Sequence, residues 1–262
     1  MLEKEVKEKN VLIIGGSSGF GLATVRKFAS EHHRIWVVHK DKRTQSKQFN
    51  KIIEELHQVF ECQIKSFNFN AGDKERVSQF VHEAADLGVR FDLVLHAVSR
   101  GNLKPLVSKT EESLSSEDIH RTIDMMGINL HFWVTELLSK DLIGEDSRIV
   151  ALSSEGNKRY WHGYGAVALA KATMETLVKY LSVELAPYRI SINTIHAGIS
   201  DTPSLKMIPQ SDELIEISRK RNPLGRMTSP EDVANVVYLL SLPEARWING
   251  SLIHVDGGEH FM

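Results

Sequence analysis

Tyr164 and Lys171 stand seven residues apart in an apolar, alanine-rich segment, Tyr-Gly-Ala-Val-Ala-Leu-Ala-Lys. The composition predicts a helix, on which seven residues make about two turns, so both side chains project from nearly one face. An ammonium beside a phenol favours the ionised phenolate and lowers the phenol's pKa. The pair therefore offers a proton donor, or a clamp for a developing oxyanion, near neutral pH. Packing for the tyrosine and a solvated surface position for the lysine are the competing readings.

A second chemical feature lies near the N-terminus, in Gly15-Gly16-Ser17-Ser18-Gly19-Phe20-Gly21. It follows the apolar run at 11–14 and opens a helical pattern. Glycines there permit a tight turn and let backbone amides approach a pyrophosphate at the helix N-terminus. A glycine cluster alone also fits a plain turn, but the strand–loop–helix setting favours a dinucleotide held by Gly15, Ser17, Ser18, Gly19, Phe20 and Gly21. The end of the second strand should meet the adenosine ribose, and there the chain reads His39-Lys40-Asp41-Lys42-Arg43. Cationic side chains suit a 2′-phosphate, so NADPH is expected over NADH, with His39, Lys40 and Arg43 as contacts. Asp41 runs against that expectation, and a solvated basic turn is the bland alternative.

The elements that must position these groups alternate regularly. Strands are expected at 11–14, 35–39, 63–68, 91–97, 148–153, 190–196 and 252–255. Helices are expected at 20–32, 47–60, 74–87, 121–139 and 164–185, with a polar stretch at 108–118. Short β-rich apolar runs between helices imply parallel strands, right-handed crossovers and helices on both faces. The predicted fold is α/β, a doubly wound Rossmann-like parallel sheet in a single domain spanning 1–262. Its cofactor half is expected at 1–150 and its catalytic half at 151–262, with a helical substrate lid at 202–226.

Composition agrees with that reading. The 262 residues are 42% hydrophobic and 25% charged, ordinary for a globular protein. A net charge of −2 gives no basic field for nucleic acid. No apolar run approaches the roughly 20 residues that span a bilayer. Residues 1–10 read as a charged lead-in of alternating sign, not a signal peptide, and a cytoplasmic location is expected. The single cysteine, Cys62, excludes an internal disulfide. None of the 12 histidines, His96, His131, His162 and His196 among them, shows metal-ligand spacing, so no metal is expected.

Taken in order, the motifs resemble those of the short-chain dehydrogenase/reductase superfamily over essentially the whole chain. They are the glycine loop, Asn129 in Ile128-Asn129-Leu130, Ser153-Ser154, the Tyr/Lys segment, 193–198 and the terminal Val255-Asp256-Gly257-Gly258. The common member carries tyrosine four residues before lysine, and Val167 occupies that position here. The seven-residue step resembles the enoyl-acyl-carrier-protein reductases. The ordinary glycine loop, with Arg159-Tyr160 and Gly225-Arg226-Met227, is similar to the divergent NADPH-dependent form found in some bacilli.

The step has a physical rationale. A ketone takes hydride on the carbon that bears its oxygen. In an enoyl thioester hydride goes to the β-carbon and charge gathers on the thioester oxygen, two carbons further on. Three residues move a tyrosine by about 4–5 Å along a helix, at ~1.5 Å per residue, enough to follow that oxygen.

The resemblance implies hydride transfer from NADPH to a trans-2-enoyl thioester carried by acyl-carrier protein or CoA, as in fatty-acid synthesis. It also implies a homotetramer or homodimer built through the Tyr-bearing helix and last strand. Tyr164 and Lys171 would be catalytic, with Lys171 on the nicotinamide ribose. Ser154 would hydrogen-bond substrate or cap its strand, and Asn129 would steady a helix and ordered water. Gly198, Ser200 and Thr202 would hold the carboxamide and pyrophosphate. Asn70, or Asn68, would meet adenine, and Ala97 would line the cofactor.

Tyr160 would line the acyl pocket, or else wedge a subunit contact. Met207, with Leu205, Ile208 and Leu214, would give the lid an apolar face. Lys206, Arg219, Lys220 and Arg221 would form a landing patch for an acidic carrier. The strand Leu95-His96-Ala97-Val98 departs from the superfamily's two asparagines, alanine and glycine, and Val98 is expected to crowd the cofactor loop. A short-chain ketoreductase and a non-catalytic nucleotide-binding scaffold remain the alternatives.

Overall fold

Val11, Leu12, Ile13 and Ile14 form a strand with no polar face, so both of its sides must be covered. The computed structural model of the chain, which describes residues 8–262, covers both sides with helices. The charged lead-in expected at 1–10 lies, through residue 7, outside the described residues. Seven parallel strands run in the order β3-β2-β1-β4-β5-β6-β7. They are β1 Asn10–Ile14, β2 Arg34–His39, β3 Ile64–Asn68, β4 Leu93–His96, β5 Arg148–Ser154, β6 Ser191–Ala197 and β7 Leu252–Val255.

Side chains alternate across each strand, so the central strands feed two cores, one on each face of the sheet. One core packs Ile14, Val38, Val94 and Ala151 against α3 (Lys74–Asp86), α5 (Asn129–Ser139) and α6 (Gly165–Glu184). The other packs Ile13, Val37, Leu95 and Leu152 against α1 (Gly19–Ser30), α2 (Arg43–Phe60) and α8 (Pro230–Leu240). Trp133, fully buried in the first core, donates Nε1–H to the Ala71 carbonyl at 3.0 Å. Truncating it to alanine would cost about 3–5 kcal/mol.

Two boundaries differ from the sequence expectation for local reasons. The helix expected at 121–139 starts earlier, as α4 (Ser116–Ile123), because Ser115 and Asp118 form a reciprocal capping box. It then widens into a π-turn at Asp124–Ile128 before α5. The Tyr-bearing helix starts one residue late, at Gly165. Within the expected lid the chain forms a 3₁₀ turn at Leu205–Met207 and α7 (Ser211–Arg221).

Candidate active site

Tyr164 is the residue before α6, not part of its first turn. Its backbone (φ −94°, ψ 0°) is non-helical, while its carbonyl already accepts the first helical bond from Ala168 N–H at 2.9 Å. Its hydroxyl lies 3.1 Å from Ser154 Oγ at the end of β5. Gly156 makes room for the ring, since a Cβ there would fall 2.2 Å from Tyr164 Cε1. Val167, at the common tyrosine position, instead packs against Met126 and Ala170.

Lys171 is buried and donates from Nζ to the Leu152 carbonyl at 2.7 Å, tying α6 to β5. No hydrogen bond joins it to Tyr164 among the described residues. Burial pulls Lys171 down to about 8, against the opposing charge of Glu175. Burial also pushes the Tyr164 phenol up, with the Ser154 hydrogen bond as the counteracting cause. This corrects the expectation of a phenol lowered by its lysine: desolvation dominates, and the phenol stays protonated at neutral pH.

Glu175, one turn beyond Lys171, was not marked by the sequence. Its buried carboxylate accepts Ser153 Oγ at 2.6 Å, Asn157 Nδ2 at 2.7 Å and Lys158 Nζ at 3.0 Å. It thereby anchors the turn that carries Ser154 and Gly156 to the helix that carries Lys171. The usable signal was the four-residue step from Lys171 on a helix.

Asn129 serves the neighbouring strand. Its Oδ1 lies 3.1 Å from His96 Nε2, and its Nδ2 donates to the Ala71 carbonyl at 2.9 Å. Burial lowers His96 to about 4, so the ring is neutral. Val98 turns into the core beside α3 and α5, so the crowding expected from it does not arise.

The glycine loop forms a cradle. Gly15 has φ +95°, and a Cβ there would meet the Ala97 carbonyl at 2.6 Å. Gly19 faces Thr202 across the cleft, with a Cβ distance of 3.3 Å to Cγ2. Ser18 precedes α1 without a side-chain cap, which leaves the first-turn amides open to an anion. Ser200 and Thr202 are buried, with Ser200 Oγ on the Gly198 carbonyl at 3.2 Å and Thr202 Oγ1 accepting Leu205 N–H at 3.2 Å. A cleft with no room for side chains, beside an open helix N-terminus, fits a pyrophosphate.

The ribose end differs from expectation. His39 is buried, its Nδ1 2.9 Å from Asp41 Oδ2 and its Nε2 2.8 Å from Ser66 Oγ. With both nitrogens engaged under Phe49, it cannot serve as a phosphate contact, which corrects its assignment. Asp41 accepts Ser17 Oγ at 3.1 Å on its other oxygen, and Asn68 clamps its backbone at 3.0 and 3.1 Å. Lys40 and Arg43 are exposed, and Asn70 shapes its own turn through Gly72 N–H at 3.4 Å.

Comparison with known proteins decides the family. The family model described as enoyl-(acyl carrier protein) reductase matches residues 15–260. The chain belongs to the enoyl-(acyl carrier protein) reductase family. This reductase is 28% identical to the enoyl-acyl-carrier-protein reductase (NADH) of Enterococcus faecalis, over 97% of this chain and 98% of that one. It is also 28% identical to the NADPH enzyme of the same name from Staphylococcus aureus, over 82% and 81%. Its fold matches the crystal structure of the Aquifex aeolicus enoyl-acyl-carrier-protein reductase (NADH), with a TM-score of 0.84 over 97% of both chains at 24% identity. Members of the family are nicotinamide-dependent oxidoreductases acting on carbon–carbon double bonds, and this reductase is one of them.

On the substrate side of the reductase, Trp161 Nε1 donates to the Pro209 carbonyl at 3.0 Å, joining the segment before Tyr164 to the expected lid. Leu205 is buried there, but Met207 is 71% exposed and Tyr160 87% exposed. Neither side chain is enclosed in this structure. The expected landing patch is also dispersed. Arg221 turns inward onto Glu155 and Glu259, Lys206 pairs with Asp201 at 3.0 Å, and Arg219 pairs with Glu216 at 3.1 Å. No helix of the described residues is long and apolar enough to cross a membrane.

Proposed function

We propose that this protein reduces the 2,3 double bond of a trans-2-enoyl thioester on acyl-carrier protein, in fatty-acid synthesis, with NADPH as hydride source. The observation that carries the reading is the position of the Tyr164 phenol, set one residue before α6 and 3.1 Å from Ser154 Oγ. A bound nicotinamide nucleotide supplies the hydride to the β-carbon. As charge gathers on the thioester oxygen, Tyr164 hydrogen-bonds that oxygen and stabilises the enolate, which then takes a proton at the α-carbon to give the saturated thioester. Ser154 orients the phenol by sharing its hydrogen bond, and Lys171, on α6 with its Nζ held by the Leu152 carbonyl of β5, would serve the ribose hydroxyls. The first-turn amides of α1, with Gly15, Gly19 and Thr202, would hold the pyrophosphate.

The choice of NADPH rests on Lys40 and Arg43, which are exposed beside the ribose end and available to a 2′-phosphate. The Asp41–Ser17 contact favours a second reading, NADH, because a fixed carboxylate accepts a 2′-hydroxyl and repels a phosphate. A homotetramer or homodimer is supported by exposed apolar residues on α6 and near β7, among them Tyr180, Val183 and Trp247. A cytoplasmic location accords with these substrates.

The deciding assay follows nicotinamide oxidation with crotonyl and acetoacetyl thioesters side by side, each with NADPH and NADH. Turnover of crotonyl thioester with NADPH is the expected result. Turnover of acetoacetyl thioester alone would assign the protein to the ketoreductases, and cofactor binding with no turnover would make it a scaffold.

A further inference from the structure

The parallel register of the last three strands pairs Ser153 with His196 and His196 with His254. Paired residues of neighbouring parallel strands share a face, so the two imidazoles stand side by side, with ring centroids 4.5 Å apart. Asp256, two residues beyond His254, brings a buried carboxylate to the same end of the sheet. One ligand atom from each of His196, His254 and Asp256 lies within 4.8 Å of the others. His196 is 1% exposed, and its Nδ1 has no hydrogen-bond partner, an open valence in a place that excludes water.

We propose that His196, His254 and Asp256 bind one divalent transition-metal ion of the zinc class. Two imidazole nitrogens and a carboxylate oxygen are the donor set such ions select. Asp256 accepts Gly258 N–H at 3.0 Å, His260 N–H at 3.0 Å and the His260 ring at 2.6 Å. A carboxylate has about four lone-pair positions, so one remains for a metal. The outer shell is also in place: His260 fixes the Asp256 carboxylate and stacks on His254 at 3.8 Å.

The site would join pieces of chain that the reaction needs held together. Gly198 sits against Asp256, where a Cβ on Gly198 would fall 2.9 Å from Asp256 Cα. Asn222, just past α7, donates to the Asp256 carbonyl at 2.9 Å. A metal there would hold the loop after β6 at Gly198, the chain just past α7 and the C-terminal turn together from behind.

The test is a cobalt(II) titration of untagged protein stripped with chelator, read by the visible ligand-field absorption of the ion. The expected result is saturation at one equivalent, displacement by zinc, and at least about tenfold weaker binding in H254Q. His254 is exposed on the edge strand, so H254Q folds, as its unchanged circular dichroism would verify. H131Q, which alters an exposed histidine on α5, is expected to leave the titration unchanged. Failure to saturate at one equivalent, or a titration that H254Q leaves unaltered, would overturn the assignment.

Discussion

The Tyr164 hydroxyl and Ser154 Oγ, 3.1 Å apart, bridge the start of α6 and the end of β5. The phenol is thus fixed by a partner that can both give and take a hydrogen bond. Tyr164→Phe should lower kcat by about 10²–10⁴-fold, the range for losing a positioned proton donor, while nicotinamide binding stays within about twofold. Ser154→Ala, which frees the phenol without removing it, should lower kcat by roughly tenfold, with both effects read by steady-state kinetics beside a cofactor titration. Equal losses in cofactor affinity and kcat would show that Tyr164 is structural.

Gly156 tests the same geometry without touching a polar group. A Cβ at that position falls 2.2 Å from Tyr164 Cε1 and 2.4 Å from Cδ1, closer than non-bonded atoms approach. Either the ring or the turn must move. Gly156→Ala should therefore reduce kcat by about 10²-fold, since small misplacements at a reacting centre have effects of that order. A variant with wild-type kcat would mean that the ring's observed position is not the productive one.

Lys171 links activity to stability. Burial holds it at about 8, below the 10.5 of a solvated lysine. The unfolded chain therefore binds more protons between pH 8 and 10.5, so stability rises with pH across that window. Below pH 8 the penalty for charging the buried ammonium is fully present. Lys171→Met removes it and should stabilise the protein at pH 7 by up to about 3 kcal/mol, less the lost Leu152 hydrogen bond. The gain should fade by about pH 10.5, while turnover drops at least tenfold at every pH. Denaturant melts at the two pH values decide it, and an equal gain at both would disprove the burial penalty.

The glycine loop, the Tyr/Lys step and the seven apolar runs were readable because each is a local pattern with a fixed period. Alanine-rich sequence carries no stop signal at its own start, so it leaves Tyr164 either in the helix or on the loop before it. That boundary is instead set by Gly163, at φ +72°, and by the Ser154 contact from another strand. His39 was assigned to the cofactor from its place at a strand end, and only the partners Ser66 and Asp41 reveal that it turns inward. Arg221 likewise looked like surface charge until Glu155 and Glu259 were brought beside it. Partners distant in sequence decide which way a polar side chain faces, and spacing along one strand or helix does not contain them.

Asp41 is the residue on which cofactor preference is expected to turn. Its carboxylate is held on one oxygen by Ser17 in the phosphate loop and on the other by the buried His39 ring. That clamp fixes the carboxylate at the expected adenosine-ribose end, where a 2′-phosphate would bring about two more negative charges. Lys40 and Arg43 flank it as exposed cations able to offset the repulsion. Asp41→Asn should raise kcat/KM for NADPH by about tenfold or more, since ~1.4 kcal/mol of relieved repulsion is a factor of ten. The same change should leave NADH within about threefold or weaken it, because an amide still accepts one hydrogen bond from the 2′-hydroxyl. Lys40→Ala with Arg43→Ala should act in the opposite sense, lowering kcat/KM for NADPH and sparing NADH. The ratio of the two cofactors' kcat/KM across these variants is the measurement. A ratio unmoved by Asp41→Asn would place the ribose away from the Ser17–Asp41 contact.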